Sequence, residues 1–196
     1  MANQLFLKMN DNCQIPVVGL GTWKSEPGEV TSQAVLDSLE AGYRHIDTAR
    51  AYDNETDVGR AVNDSGLPRS ELFITTKLWN QHQGYEEAIE ACEKSLNRLN
   101  CDYIDLYLIH WPLKHKRNDS WRALIELRDR GLCKSIGVSN FTIEHLSEIE
   151  AKFGILPAVN QVEFHPYHYQ KELLDYCNSK NIIIEAYSPL VHAKRM

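Results

Sequence analysis

No stretch of this sequence stays apolar for the roughly 20 residues that a membrane-spanning helix needs. The opening residues, MANQLFLKMNDN, also lack the basic-then-apolar order of a secretory leader. The expectation is a cytoplasmic protein with no membrane partner. An excess of basic charge is missing as well, since 21 Lys and Arg stand against 27 Asp and Glu for a net charge of −6. Without a positive footprint there is no case for nucleic acid as a partner. The five cysteines are odd in number, scattered and never spaced as C-x-x-C. That pattern supports neither a disulfide framework nor a zinc site, and the thiols are expected to be reduced. Repeats, low-complexity tracts and linkers are absent, and 196 residues at 43% hydrophobic content suffice for one core. The chain is read as a single domain, 1–196.

What the sequence does contain is an alternation, kept from residue 17 to residue 190, of short β-branched runs with longer segments of helical period. Seven strands are expected at Val17 to Gly21, Tyr43 to Asp47, Leu72 to Lys77, Tyr103 to His110, Ser135 to Ser139, Ala158 to Glu163 and Ile182 to Tyr187. Between them, Tyr85, Ala88, Cys92, Leu96 and Leu99 make one apolar stripe. Trp121, Leu124 and Ile125 make a second, and Leu146, Ile149 and Phe153 a third. Asn54 is placed to cap a helix carrying Val58, Ala61 and Val62, which Gly66 and Pro68 stop. Leu5 to Met9 and Cys13 to Ile15 flank Asn10-Asp11-Asn12, a hairpin suited to closing the bottom of a barrel.

An alternating α/β chain builds either an open doubly wound sheet or a closed barrel. Gly19-Leu20-Gly21 supplies two glycines of a dinucleotide fingerprint, but Lys24 stands where the third belongs and no acidic ribose partner follows. The barrel is preferred, and in a (β/α)8 barrel the reactive groups stand at the strand exits. Polar residues occur there in succession: Asp47, Lys77, His110, Ser139 with Asn140, Gln161, and Tyr187 with Ser188, while Tyr52 lies five residues beyond Asp47. A buried lysine needs an anion, which Asp47 can supply. A phenol beside that ammonium should titrate below its usual value of about 10, making Tyr52 a proton donor. His110 can orient a carbonyl oxygen. Such an acid serves carbonyl reduction only if hydride comes from elsewhere, which calls for a nicotinamide. Asn140 and Gln161 suit its carboxamide, and Tyr187 offers a flat stacking face.

The stretches PVVGLGTW, GYRHIDTARAYDNE, LFITTKLWN, YIDLYLIHWP, KSIGVSNF, VNQVEFHP and EAYSPL, in that order, resemble the aldo-keto reductases over nearly the whole chain. The likeness is to their small microbial, protozoan and plant members. It implies a catalytic tetrad of Asp47, Tyr52, Lys77 and His110, with Tyr52 the general acid in reduction. It further implies cofactor contacts from Thr22, Asp47, Ser139, Asn140, Gln161, Tyr187, Ser188 and Leu190, and a substrate pocket walled by Trp23, Trp79 and Trp111 beside Tyr52 and His110. The implied cofactor is NADPH, with NADH left open, and the implied substrate is a small carbonyl compound. No metal is expected: His45 and Asp47 share a strand face but lack a third ligand. His115, His165 and His168 are expected in surface loops, and Arg50 stands where relatives carry a small residue.

A barrel of this class takes about 250 residues. The resemblance therefore implies a (β/α)8 barrel that is incomplete here, with seven strands and an N-terminal β-hairpin present and the last strand and helices missing. Open strand edges predict low stability and little activity for such a polypeptide alone, and a monomer were the barrel complete. Two other functions stay open at this point: a non-catalytic barrel that acts by binding, and a metal-dependent hydrolase.

Overall fold

The computed structural model describes residues 4–191. Strands β1 (Phe6–Lys8) and β2 (Gln14–Pro16) form an antiparallel hairpin in which Leu7 faces Ile15. The remaining strands are β3 (Gly19–Gly21), β4 (His45–Asp47), β5 (Phe73–Leu78), β6 (Ile104–Ile109), β7 (Cys133–Ser139), β8 (Val159–Glu163) and β9 (Ile183–Tyr187). They lie side by side in chain order as one parallel sheet. Each of the seven expected strands is found; six start a residue or two later than expected, whereas β7 starts two residues earlier and β5 runs one residue further. Among the described residues six α-helices accompany them: α1 (Glu29–Glu40), α2 (Glu55–Asp64), α3 (Glu86–Leu99), α4 (Arg117–Asp129), α5 (Ile143–Phe153) and α6 (Lys171–Ser179). The architecture is that of a (β/α)8 barrel, with seven of its strands among the described residues.

Two apolar layers follow from the period of each element. The larger lies between sheet and helices, where Ile46, Ile74, Tyr107 and Val138 of the strands meet Val35, Val58, Cys92, Leu96, Leu124 and Ile149 of the helices. All three stripes read from the sequence supply this layer. The smaller lies inside the curve of the sheet: Phe73, Leu106, Leu108 and Val159 meet Met9 and Ile15 of the hairpin. The hairpin thus plugs the end of the barrel from which the strands start, as its position suggested.

Helix boundaries have local causes. Thr142 caps α5 in a reciprocal box with His145, and Gly154 ends it in the left-handed region at φ 65°. At α2 the expectation needs correction. Asn54 occupies the N-cap position, but its side chain makes no capping bond. Its amide donates instead to the carbonyl of Thr22 at 3.0 Å, and its oxygen accepts from the hydroxyls of Thr48 at 2.8 Å and Thr22 at 3.3 Å. Burial decides this: a fully enclosed amide must satisfy all its groups, and the exits of β3 and β4 offer more partners than one helix turn. Behind β5, the buried Glu55 of α2 accepts from Thr76 Oγ1 and from Arg98 Nε of α3, each at 2.6 Å, which fixes the strand that carries Lys77.

Candidate active site

Side chains alternate along a strand, so His45 and Asp47 of β4 share the inner face, as do Thr75 and Lys77 of β5, and Glu185 and Tyr187 of β9. Lys77 is fully buried, and its ammonium has three oxygens around it: Asp47 Oδ1 at 2.5 Å, the carbonyl of Thr48 at 3.0 Å and Tyr52 Oη at 3.4 Å. Tyr52 reaches this point because a tight turn over Arg50–Tyr52 follows β4, with Asp53 in the left-handed region. Asn54, immediately beyond, locks that loop to its neighbours. His110, at the exit of β6, sets its ring edge-on to Tyr52 at 5.7 Å and to Trp79 at 5.3 Å. Asp47, Tyr52, Lys77 and His110, spread over 64 positions of sequence, are thus brought to one spot.

Burial sets the electrostatics. It pulls the pKa of Lys77 down, but Asp47 and then Tyr52 outweigh that, and the ammonium is held more firmly than usual. For Tyr52 the expectation of a lowered pKa is corrected: the phenol titrates above its ordinary value. Burial is the largest influence, and the nearby ammonium of Lys77 offsets it only in part while Asp47 adds to it. Enclosure of the phenol was not visible in the sequence. His110 is pushed down to about 4 by burial and by Lys77, so its imidazole is neutral at physiological pH. Among the described residues its buried Nδ1 has no partner.

The amide wall is assembled across β7, β8 and β9. Ser139 Oγ donates to the carbonyl of Gln161 at 2.8 Å, and Asn140 Nδ2 donates to the carbonyl of His110 at 3.0 Å. Tyr187 Oη donates to Asn140 Oδ1 at 3.0 Å, and Gln161 Nε2 donates to Asp47 Oδ2 at 2.8 Å. The last bond joins the amide wall to the Lys77 cluster. A cavity of about 840 Å³ lies on the Asn140 and Tyr187 side of this wall, with Trp111, Val162 and Tyr169 also lining it, and none of Asp47, Tyr52, Lys77 or His110 reaches it.

Other expected residues are placed with less focus. Thr22 is buried and its hydroxyl bonds the carbonyl of Asp47 and Asn54 Oδ1. Trp79 packs on His110, whereas Trp23 is half exposed with the ammonium of Lys24 over its ring. Ser188, in the left-handed region, and the exposed Leu190 follow β9. His115 and His168 are exposed as expected, but His165 is buried. A turn that bonds His168 N to the carbonyl of His165 at 2.8 Å folds the ring back, where Nδ1 accepts from Tyr167 N and Nε2 faces Glu163 at 3.1 Å. Arg50 pairs with Asp53 at 2.9 Å. One residue was missed altogether: Glu185 faces the same interior, and the only signal for it was a single acid inside the apolar run Ile182 to Tyr187.

Known proteins resemble this chain over most of its length. Residues 17–194 match the model of the aldo/keto reductase family. A glyoxal reductase of Bacillus subtilis is 50% identical over 188 residues, covering 96% of this chain and 68% of its own length. Among solved structures, an aldo/keto reductase of Brucella melitensis superposes with a TM-score of 0.95 at 45% identity, covering 98% of this chain and 76% of that one. An aldo-keto reductase of Bombyx mori, solved in complex with NADP, gives 0.91 at 37% identity, covering 96% of this chain and 67% of that one. The chain spans about two thirds of the length of the curated relatives it matches. Among the described residues no helix is long and apolar enough to cross a membrane.

Proposed function

The chain belongs to the aldo/keto reductase family, and on that premise we propose that it carries the site of an NADPH-dependent reductase of small aldehydes and ketones. The observation that carries this reading is the contact of Tyr52 with Lys77, at 3.4 Å, beside a neutral His110. We read it as one cytoplasmic domain, monomeric as a complete barrel.

The residues present fit the cofactor. Ser139, Asn140 and Gln161 put one hydroxyl and two amides along one wall, the donor and acceptor set a carboxamide requires, and Tyr187 adds a ring next to the cavity. NADPH, when bound, supplies the hydride. The chain's own groups manage the oxygen of the carbonyl. The phenol of Tyr52 stays protonated at neutral pH and donates to that oxygen as negative charge develops on it. Lys77 stabilises the phenolate that remains, and Asp47 fixes the ammonium in place. The imidazole of His110 carries one N–H to orient the oxygen before the transfer. Trp79 and Trp111 wall the approach, which favours flat or apolar substrates. Thr22, Ser188, Leu190 and Trp23 are assigned to cofactor and substrate by resemblance alone.

The test is NADPH oxidation by the purified protein with an aromatic aldehyde, run beside Tyr52→Phe. We expect the variant to keep NADPH binding, measured by fluorescence, and to lose turnover by about 100-fold or more. Equal turnover in both proteins removes Tyr52 as the acid. Binding without turnover in either marks a protein that acts by binding.

A further inference from the structure

The interior beneath the Lys77 cluster holds an acid that the reading above does not use. Glu185 pairs with Gln161 across β8 and β9, and its side chain is 19% exposed, with Oε2 buried and without a partner among the described residues. The other carboxyl oxygen lies 4.0 Å from Nε2 of His45. The groups facing it from the packed elements are His45 and Asp47 of β4, Tyr52 of the loop that follows, and Lys77 of β5, while β8 contributes the amide of Gln161.

Counting charge decides what Glu185 is. Two carboxyls, Asp47 and Glu185, share this interior with one ammonium, and that ammonium is bonded to Asp47. His45 adds no second cation: burial is the main cause that lowers its pKa, to about 4. Its Nδ1 side is taken by the carbonyl of Pro16, and Thr75 Oγ1 stands 2.9 Å from Nε2. A neutral ring that donates through Nδ1 leaves Nε2 to accept from the Thr75 hydroxyl, and at 4.0 Å it offers Glu185 neither a hydrogen bond nor a cation. A second carboxylate here would have the Gln161 amide beside it but no cation of its own, and one of its oxygens would be enclosed, an arrangement that favours the neutral acid.

We propose that Glu185 carries a proton at neutral pH and acts as a positioning residue for the catalytic set. By staying uncharged it leaves the ammonium of Lys77 to Asp47 and Tyr52. The inference rests on the reading that Tyr52 and Lys77 do the chemistry, but its test does not need turnover. Burial, and then the proximity of Asp47, raise the pKa of Glu185 to about 8, so the proton is expected to leave in the mildly alkaline range. Once ionised, Glu185 makes the phenol of Tyr52 a weaker acid.

The experiment is infrared difference spectroscopy of the protein with carbon-13 in its glutamate carboxyls, titrated from about pH 6 to about pH 9. The expected result is a protonated-carboxyl C=O band that shifts with the label, fades with rising pH and is missing in Glu185→Gln. In Glu185→Asp, which keeps the acid but removes it from the labelled pool, the isotope shift should vanish. A wild-type protein with no such band at the acid end overturns the proposal without reference to either variant. A second readout is the ultraviolet titration of Tyr52, isolated by subtracting Tyr52→Phe spectra. Glu185→Gln should move the phenol's pKa down, and an unchanged value overturns the positioning role and leaves Glu185 a structural residue. Absence of the band from the wild-type protein with normal Tyr52-dependent turnover refutes this inference alone, whereas turnover independent of Tyr52 refutes the functional reading.

Discussion

The phenolic oxygen of Tyr52 lies 3.4 Å from the ammonium of Lys77, and yet the phenol titrates above its ordinary value because it is enclosed. The cation therefore limits a shift and does not create a low pKa. Removing it in Lys77→Met leaves burial unopposed. Turnover is expected to fall by about 100-fold or more, as for loss of general acid catalysis, with NADPH affinity nearly kept. The phenol's own ionisation should also not limit reduction below about pH 10 in the wild-type protein. A kcat profile against pH checks both statements, and a falling limb that disappears in Glu185→Gln belongs to that acid and not to the phenol.

Asp47 and Lys77 are a nearly enclosed ion pair at 2.5 Å, and such pairs respond differently to single and double substitution. Asp47→Ala leaves the ammonium among carbonyl and phenolic oxygens without its counter-ion. The expected cost is about 3–5 kcal/mol, read as a lower urea midpoint. Adding Lys77→Met removes the stranded charge and should recover a large part of the loss. If the double variant is less stable than the single by a further increment, the ammonium is satisfied without Asp47.

Most of the fold was legible because burial writes a period into the chain. Strands whose one face meets helices and whose other face meets the barrel interior read as continuous apolar runs, which is how Ile104–Ile109 stood out. The site was legible where a polar residue interrupts such a run at its end, as at Asp47, Lys77 and His110. What could not be read was enclosure. The raised pKa of Tyr52, the burial of His165 and the side-chain bonds of Asn54 all depend on how neighbouring elements close over a group. Glu185 was passed over for the same reason, since one acid within a strand has the same sequence signature whether it faces solvent or the interior.

Gly59 in α2 offers a test of packing against propensity. In an exposed helix Gly→Ala gains about 1 kcal/mol. Here a Cβ at position 59 would run into the backbone carbonyl of Leu99 at the end of α3. The obstacle is backbone and cannot rotate away. Gly59→Ala is expected to destabilise the protein by about 1–3 kcal/mol through overpacking, visible as a reduced urea midpoint. A gain in stability indicates that α2 and α3 stand further apart than described.

Stability against pH combines two opposed linkages. His45 and His110 have native pKa values near 4, both lowered chiefly by burial, while in the unfolded chain they take up protons near 6.5. Their contribution is fully present above about pH 6.5 and is lost as pH falls towards 4, because there the unfolded state binds more protons. It is bounded at on the order of 3 kcal/mol for each ring. Glu185 acts with the opposite sign: the unfolded chain releases its proton near 4.5 while the native state keeps it to about 8, so stability declines as pH rises across that interval. Where the intervals overlap, two rings outweigh one acid, and the maximum is expected near pH 6.5 with a decline on the alkaline side to about pH 8. Urea midpoints should show His110→Gln with an acid slope reduced by one proton and Glu185→Gln with a flattened alkaline decline. An acid slope that His110→Gln leaves unchanged means that the imidazole already titrates normally in the folded protein, and the neutral orienting role assigned to it would then be untenable near pH 6.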